Sequence, residues 1–240
     1  MERIQKVIAN YGYCSRRRAE ELLVSGKVKV NGQVITKLGF KVGTKDVIEV
    51  EGHILEQEEK EYVLLNKPRG VITTTSDDKN RKTVVDLIPS NKRLYPVGRL
   101  DYDTTGLLIL TNDGELANLL MHPKYKIEKI YVAKIKGILS VASIKKLEKG
   151  ILIEGVKTSK AKVKVRRIDK KNNTSIVELT IHEGKNHQVK KMFSAVGHEV
   201  LKLKRENLAF LTLAGLKSGE YRNLNKKEVK KLYNEVLNRK

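Results

Sequence analysis

Apolar residues recur at helical spacing at the start of the chain and then alternate with polar residues. This pattern predicts a helix over residues 3–12, and Ser15 can cap a second helix over residues 16–23. The alternating segment 27–30 runs into Asn31-Gly32, which is typical of a strand entering a tight hairpin turn. Two short helices followed by a small hairpin are therefore expected.

Strands and helices alternate along the rest of the chain. An acidic run at residues 56–61 has no apolar periodicity and is interpreted as a linker. A capping pattern of Asn112 with Glu115 should open a helix over 116–121. The remaining predicted strands are 62–67, 107–110, 130–135, 161–168 and 174–182, and the remaining helices are 140–147, 186–196 and an amphipathic one near the carboxyl terminus.

This order indicates an α+β protein of two domains. Residues 1–58 are expected to form a small helix-helix-hairpin domain. Residues 62–240 are expected to form a larger domain built on a mostly antiparallel sheet.

The charge of the chain points to a polyanionic partner. Lys and Arg number 49 against 28 Asp and Glu, a formal net charge of +21. Arg16, Arg17 and Arg18 crowd the first turn of the second helix, where cations oppose the helix dipole. They are well placed to meet phosphates, together with Lys27 and Lys29 of the hairpin, although a solvated basic face is the alternative.

Several classes of protein are not indicated. No apolar run approaches the roughly 20 residues that span a bilayer, and the amino terminus lacks a secretory signal. The single cysteine, Cys14, and five scattered histidines show no metal-ligand spacing, and no phosphate-binding or dinucleotide loop is present. We expect a cytoplasmic monomer without membrane, metal or cofactor.

One segment presents a carboxylate beside an arginine on a turn. Residues 98–106 are rich in Gly and Thr and lead into an apolar strand, so Asp101 should lie on a loop fixed by a rigid element. Such a loop can present a reactive carboxylate to a substrate. From spacing alone, however, Asp101 and Asp103 are more readily explained as turn-forming residues.

This segment resembles the catalytic motif of the RsuA/RluB family of RNA pseudouridine synthases, in which Gly-Arg-Leu-Asp carries the essential aspartate. The resemblance covers nearly the whole chain. Its small domain is similar to the RNA-binding domain shared by a small-subunit ribosomal protein and several RNA enzymes. The resemblance implies that Asp101 is the catalytic carboxylate and that the substrate is ribosomal RNA, with no cofactor.

Further site residues follow from the same resemblance. Tyr131 matches the tyrosine that stacks on the target base, although it also alternates with apolar residues as a core tyrosine would. Leu203 matches a leucine that packs near that base. Arg99 matches the arginine that moves or replaces the flipped nucleotide, and a salt bridge to Asp103 is its alternative role.

Basic residues of two further segments match the family. Residues 183–192 resemble Glu-Gly-Arg-Asn-Arg-Gln-Val-Arg-Arg-Met, which implies that Lys190 pairs with Asp101. The departures from arginine are Lys185, His187, Lys190 and Lys191, of which some should contact phosphates. Residues 67–71 also match, and Lys67 is expected to touch RNA.

Residues 102–104 and 121–125 look most like the RluB branch, which implies large-subunit (23S) rRNA as substrate, either free or in a large-subunit assembly intermediate. A non-catalytic RNA-binding or ribosome-assembly protein, and the same chemistry on small-subunit rRNA, remain alternatives. A glycosidase-like hydrolase using Asp101 and Asp103 is a weaker one, because residues two apart in one turn need not flank a scissile bond.

Overall fold

The computed structural model describes residues 1–237, which divide into two compact units. The smaller unit comprises Met1–Glu61 with Ser90–Leu94 and Thr111–Gly114. The larger unit comprises Tyr62–Pro89, Tyr95–Leu110 and the described chain from Glu115 onward. Over residues 1–237, every helix falls short of the length and apolar character needed to cross a membrane.

The smaller unit has the predicted helix-helix-hairpin form. Ser15 caps its second helix, because the side-chain oxygen accepts a hydrogen bond from the Arg18 amide at 3.1 Å. Its elements are β1 (Glu2–Arg3), α1 (Ile4–Asn10), α2 (Arg16–Val24), β2 (Val28–Val30), β3 (Gln33–Val34), β4 (Lys41–Val42), β5 (Ile48–Val50) and β6 (His53–Ile54).

Strand β2 pairs antiparallel with β3, across the predicted turn, and with β5 on its other side. The sheet order is β3-β2-β5-β6. The two helices and this sheet share one apolar core, formed by Ile4, Ile8, Ala19, Leu22, Leu23, Val28, Val30, Val42, Ile48 and Val50.

The larger unit is a nine-stranded sheet with helices. Its first elements are β7 (Tyr62–Lys67), β8 (Tyr95–Pro96), β9 (Thr105–Thr111), α3 (Gly114–Met121), β10 (Lys129–Lys136) and α4 (Val141–Lys149). They are followed by β11 (Leu152–Ile153), β12 (Val156–Lys157), β13 (Lys162–Asp169), β14 (Thr174–Ile181), α5 (Gln188–Ser194), β15 (Val200–Leu208), β16 (Leu211–Thr212), β17 (Tyr221–Asn223) and α6 (Lys226–Leu237).

The main path of the nine-stranded sheet runs β13-β14-β10-β15-β9-β7-β17, with β8 paired to β9 and β16 paired to β15, and β11 and β12 form a separate two-stranded sheet. Along this path β13, β14, β10 and β15 pair antiparallel with their neighbours, as predicted, whereas β15 pairs with β9 in parallel. Leu64, Leu107 and Ile109 from β7 and β9 pack against α3 and α6, where Leu232 and Val236 are buried. The central strands β10, β15 and β9 carry the site described below.

A glycine permits the close approach of β9 and β15. Gly106 lies opposite Arg205 and has a φ of 109°, in the region that favours glycine. A Cβ added there would lie 2.1 Å from the Arg205 carbonyl oxygen. The parallel pairing therefore depends on glycine at this position.

The capping pattern predicted for α3 is wrong. The helix begins at Gly114, which places Asn112 one residue too early to be its N-cap. The Asn112 side chain instead accepts a hydrogen bond from the Glu61 amide at 2.9 Å and donates to the Glu59 carbonyl at 3.1 Å. These backbone groups lie in the acidic linker, far away in sequence, so a local capping rule could not find them.

Candidate active site

The loop that carries Asp101 is fixed by hydrogen bonds from a buried lysine. Lys67 ends β7, is 0% exposed, and donates from Nζ to the carbonyls of Pro68 (3.1 Å), Asp101 (3.0 Å) and Thr104 (3.0 Å). On the other side, the Thr73 hydroxyl donates to the Leu100 carbonyl at 2.6 Å. The backbone on both sides of Asp101 is thus fixed by side chains from other segments.

Lys67 is therefore not an RNA contact, and that prediction is wrong. Val63, Leu65 and Lys67 share one side of β7 by the two-residue period of a strand, and all three are buried. Burial lowers the pKa of Lys67 to about 8, while Asp101 and Asp103 oppose that shift. Its ammonium group holds the loop and cannot reach a ligand at the surface.

The Asp101 carboxylate meets two basic side chains at one oxygen. Oδ2 lies 3.0 Å from Nδ1 of His187 and 3.3 Å from Nζ of Lys190, and the Asp101 side chain is 26% exposed. The sequence led us to expect the contact with Lys190. The contact with His187 was not foreseen.

Lys190 also joins the two acids of the loop. Its Nζ lies 2.6 Å from Oδ1 of Asp103, and this hydrogen bond holds the pKa of the Asp103 carboxyl below its usual range. Within residues 1–237, Arg99 forms no ion pair and its side chain is exposed, so the alternative of an Arg99–Asp103 salt bridge is wrong. Arg99 keeps its guanidinium free at the edge of the site.

Tyr131 lies on β10 in the middle of the sheet. It is 8% exposed, stands opposite Arg205 of β15, and also lines the pocket that contains Asp101. Arg205 is 2% exposed, donates from Nε to the Leu107 carbonyl at 2.7 Å, and its Nη1 lies 3.5 Å from the Tyr131 hydroxyl. Tyr131 is thus a sheet residue and a pocket residue at once.

The pocket gathers six of the thirteen predicted site residues, and its lining comes from three strands, two loops and a helix. Its lining consists of Arg99, Leu100, Asp101, Thr104, Tyr131, Ile181, Gly184, Lys185, His187, Gln188, Val189, Lys190 and Leu203. Lys191 is not among them, and its Nζ pairs with Oε1 of Glu154 at 2.7 Å.

The loop before α5 has its own support. Glu183 accepts hydrogen bonds from the Ser159 amide at 2.9 Å and from Nε2 of Gln188 at 2.6 Å. Oε1 of Gln188 in turn accepts from the Lys185 amide at 2.9 Å. This network positions His187 and Lys190 at the start of the helix.

The predicted basic residues of the smaller unit divide into paired and unpaired ones. Arg18 pairs with Glu21 at 2.8 Å, Lys27 with Glu51 at 2.8 Å and Lys29 with Glu49 at 2.9 Å. Over the described chain, Arg16 and Arg17 have no ion pair and are exposed. No acidic residue lies in the first turn of α2, so these two charges are free for an external anion.

Sequence reasoning missed two residues of the site, His187 as a partner of Asp101 and Arg205 as a partner of Tyr131. The substitution of arginine by histidine at position 187 was visible, but the strand register that places Arg205 beside Tyr131 was not. The site as a whole offers a half-buried carboxylate fixed between a histidine and a lysine, next to an aromatic and an aliphatic side chain. Such an arrangement suits nucleophilic or general-base chemistry on a flat, uncharged ring.

Comparison with known proteins agrees with this geometry. The RNA pseudouridylate synthase model matches residues 61–195, and the S4 domain model matches residues 2–48. Ribosomal large subunit pseudouridine synthase B of Bacillus subtilis (strain 168) is 60% identical over 233 residues, which are 97% of this chain and 96% of that protein.

Two further similarities cover nearly the full length of the chain. An uncharacterized RNA pseudouridine synthase of Aquifex aeolicus (strain VF5) is 41% identical over 237 residues, 98% of this chain and 94% of that protein. A crystal structure of a pseudouridylate synthase superposes with a TM-score of 0.68 at 32% identity, covering 97% of this chain and 100% of that one. With both domains matched in the same order, the chain belongs to the RNA pseudouridine synthases, in the RsuA/RluB family, and carries an S4 domain at its amino terminus.

Proposed function

We propose that this protein isomerises a specific uridine to pseudouridine in large-subunit (23S) rRNA, with Asp101 as the catalytic carboxylate. The observation that carries the proposal is the placement of Asp101, whose Oδ2 contacts His187 and Lys190 inside the pocket that Tyr131 lines. The choice of the large subunit is supported by the name of the Bacillus subtilis relative.

The reaction requires one reactive group and no redox change. The bond between ribose C1′ and uracil N1 breaks, a bond between C1′ and C5 forms, C5 loses a proton and N1 gains one. A carboxylate can either attack the sugar or remove a ribose proton on the way to a glycal-type intermediate, and Asp101 is suited to both routes. Because Oδ2 is engaged by His187 and Lys190, Oδ1 is the oxygen left to react.

The neighbouring residues have separate roles in this proposal. The target uridine must leave the helical stack, at a cost of a few kcal/mol. Tyr131 and Leu203 then contact the extruded base, and the unpaired guanidinium of Arg99 moves or replaces the flipped nucleotide. Lys190 forms ion pairs with both carboxylates of the loop, Asp101 and Asp103, and Lys185 is available for a backbone phosphate.

The two domains divide the work. Residues 1–58 supply affinity through the cations on α2 and the hairpin, and residues 62–240 supply the chemistry. We further propose that the protein acts as a monomer in the cytoplasm. Light scattering on the purified protein tests the oligomeric state.

The function is tested by mapping pseudouridine in rRNA with carbodiimide modification and primer extension. Cells lacking the protein are complemented with wild type, Asp101→Asn or Asp103→Asn. We expect one 23S site to be lost and to be restored by wild type but not by D101N. The D103N variant is the matched control, since it removes the other carboxylate on Lys190 and should restore the site at least partly.

An unchanged map in the deletion strain would contradict the proposal and favour an RNA-binding protein or another RNA target. A lost site in small-subunit rRNA would keep the chemistry and overturn the choice of subunit. Release of free uracil from RNA in vitro, with activity lost equally in D101N and D103N, would instead indicate a hydrolase.

A further inference from the structure

We propose that His187 is a positioning residue for the reactive carboxylate, which it holds by a hydrogen bond to Oδ2 of Asp101. This inference rests on the function proposed above and adds a residue to it. Two observations carry it: the 3.0 Å contact, and the backbone conformation that brings the imidazole to the carboxylate.

The contact determines which ring nitrogen carries a proton. An ionised carboxylate can only accept hydrogen bonds, so Nδ1 of His187 must be the donor to Oδ2 of Asp101. Lys190 approaches the same oxygen at 3.3 Å but is closer to Asp103, at 2.6 Å. Lys190 is thus shared between two acids, and His187 makes the shorter of the two contacts to Asp101.

The second observation is the backbone of His187. It has a φ of 51° and a ψ of 27°, the left-handed conformation, at the residue that precedes α5. A residue other than glycine in this region is uncommon, and histidine, asparagine and aspartate are the types most often found there. The side chain makes no capping hydrogen bond to the helix, so it is free to face Asp101.

The geometry also explains how two different residue types can fill this position. The family pattern described above has arginine here, and both arginine and a histidine protonated at Nδ1 donate to a carboxylate oxygen. We infer that the position requires a donor to Asp101. A second donor on Oδ2 restricts rotation of the carboxylate and leaves Oδ1 directed at the substrate.

Four variants separate the side chain from the backbone. His187→Gly removes the donor while suiting the left-handed backbone best, and His187→Asn restores a donor one bond from Cγ, where Nδ1 lies in histidine. His187→Gln moves that donor one bond further out. Asn173→Gly, at another left-handed position with a φ of 46° and outside the pocket, controls for the effect of glycine alone.

The readout is the steady-state rate of tritium release from [5-³H]uridine in a 23S rRNA fragment, measured over multiple turnovers, because the C5 proton is lost in every turnover. We expect kcat to fall about 10- to 100-fold in H187G with KM nearly unchanged, as for loss of an orienting contact. H187N should recover most of that loss and H187Q little of it. N173G should match wild type.

Equal kcat in H187G and wild type would overturn the proposal, because it would show that only the backbone conformation matters. Equal losses in H187N and H187G would also overturn it. Both results leave wild-type tritium release intact, whereas failure of the proposed function would appear as no release by the wild type.

A measurement without substrate tests the same contact. In protein labelled with ¹⁵N-histidine, the Nδ1 resonance of His187, identified by its absence in H187G, should report a protonated nitrogen. It should shift in Asp101→Ala, which removes the acceptor. An unshifted resonance in D101A would show that the hydrogen bond is absent in solution and would contradict the proposal.

Discussion

At the scale of single residues, the site depends on a lysine that cannot touch the substrate. Lys67 supplies donors to three carbonyls around Asp101, of which the Asp101 carbonyl also accepts from the Thr104 amide at 3.1 Å. The cost of this arrangement is a buried ammonium group, and the pKa lowered to about 8 reflects that burial. The same residue therefore links loop geometry to pH.

We expect Lys67→Met to impair both folding and catalysis. Loss of the three hydrogen bonds should lower the free energy of unfolding by about 1–3 kcal/mol. Displacement of the Asp101 loop should reduce kcat by roughly 10- to 100-fold. Urea unfolding and tritium release measure the two effects, and unaltered kcat in K67M would contradict a positioning role.

The stability contributed by Lys67 should also change with pH. Between about pH 8 and the ordinary lysine value of 10.5, the unfolded chain holds more protons on this group than the folded protein does. Stability from this group therefore rises with pH across that window. The difference in unfolding free energy between wild type and K67M should rise with it.

Lys129→Met is the matched control for this pH dependence. Burial likewise lowers the pKa of Lys129 to about 8, and within residues 1–237 its side chain makes one hydrogen bond, a long one of 3.4 Å to the Ile127 carbonyl. K129M should show a similar pH dependence of stability without the loss of kcat that K67M shows. A flat stability difference from pH 8 to 10.5 in both variants would refute the assignment.

At the scale of elements, the central parallel pair of β9 and β15 brings the site together. The Asp101 loop leads into β9, and β15 carries Leu203 and Arg205, so the pairing of the two strands brings these residues together. Tyr131, Arg205 and Gly106 occupy one row across three adjacent strands. Any change in the spacing of β9 and β15 must therefore displace both the carboxylate and the support of Tyr131.

Gly106→Ala tests this spacing. The added Cβ would lie 2.1 Å from the carbonyl oxygen of Arg205, a backbone atom that cannot move without the strand. We expect a loss of roughly 2–4 kcal/mol in unfolding free energy, in the range of overpacked or strained core positions. Thermal and urea unfolding measure it.

Gly155→Ala separates crowding from backbone strain. Gly155 also has a positive φ, 78°, but a Cβ there would meet nothing within 4 Å. This control should cost about 1 kcal/mol from the left-handed conformation alone. Equal losses in G106A and G155A would show that the approach of β15 is not what requires glycine.

At the scale of the whole molecule, a net charge of +21 makes attraction to RNA a property of the entire surface. Ion pairing within the chain decides which cations are available. Arg18, Lys27 and Lys29 each face a glutamate, whereas Arg16 and Arg17 do not within residues 1–237. Charge count alone does not distinguish these residues.

We expect Arg16→Ala and Arg17→Ala each to weaken binding of an rRNA fragment and to reduce the slope of log K against log salt by about 0.7–0.9. Arg18→Ala should change the slope less, because Glu21 already neutralises that guanidinium. Fluorescence titrations from about 50 to 200 mM salt measure these slopes. Equal slopes in all three variants and wild type would show that α2 does not meet the RNA.

The sequence by itself determined the features that depend on near neighbours. The N-cap at Ser15, strand 62–67, the hairpin at Asn31-Gly32 and the α+β order follow from spacing and turn chemistry, and the structure has all of them. The loop around Asp101 was predictable for the same reason, whereas its catalytic role came from the family resemblance, because spacing alone favoured a turn-forming aspartate. These features were predictable because each is set by residues within a few positions of one another.

Only the tertiary structure decided what each polar side chain contacts. His187 meets Asp101 across 86 positions, Arg205 meets Tyr131 across 74, and Lys67 meets the Asp101 carbonyl across 34. A lysine, a histidine and an arginine look alike in sequence as basic residues of an RNA-binding protein. The fold buries Lys67, places His187 at the Asp101 carboxylate and places Arg205 beside Tyr131. It does so because strand register and burial are fixed by the packing of the whole sheet.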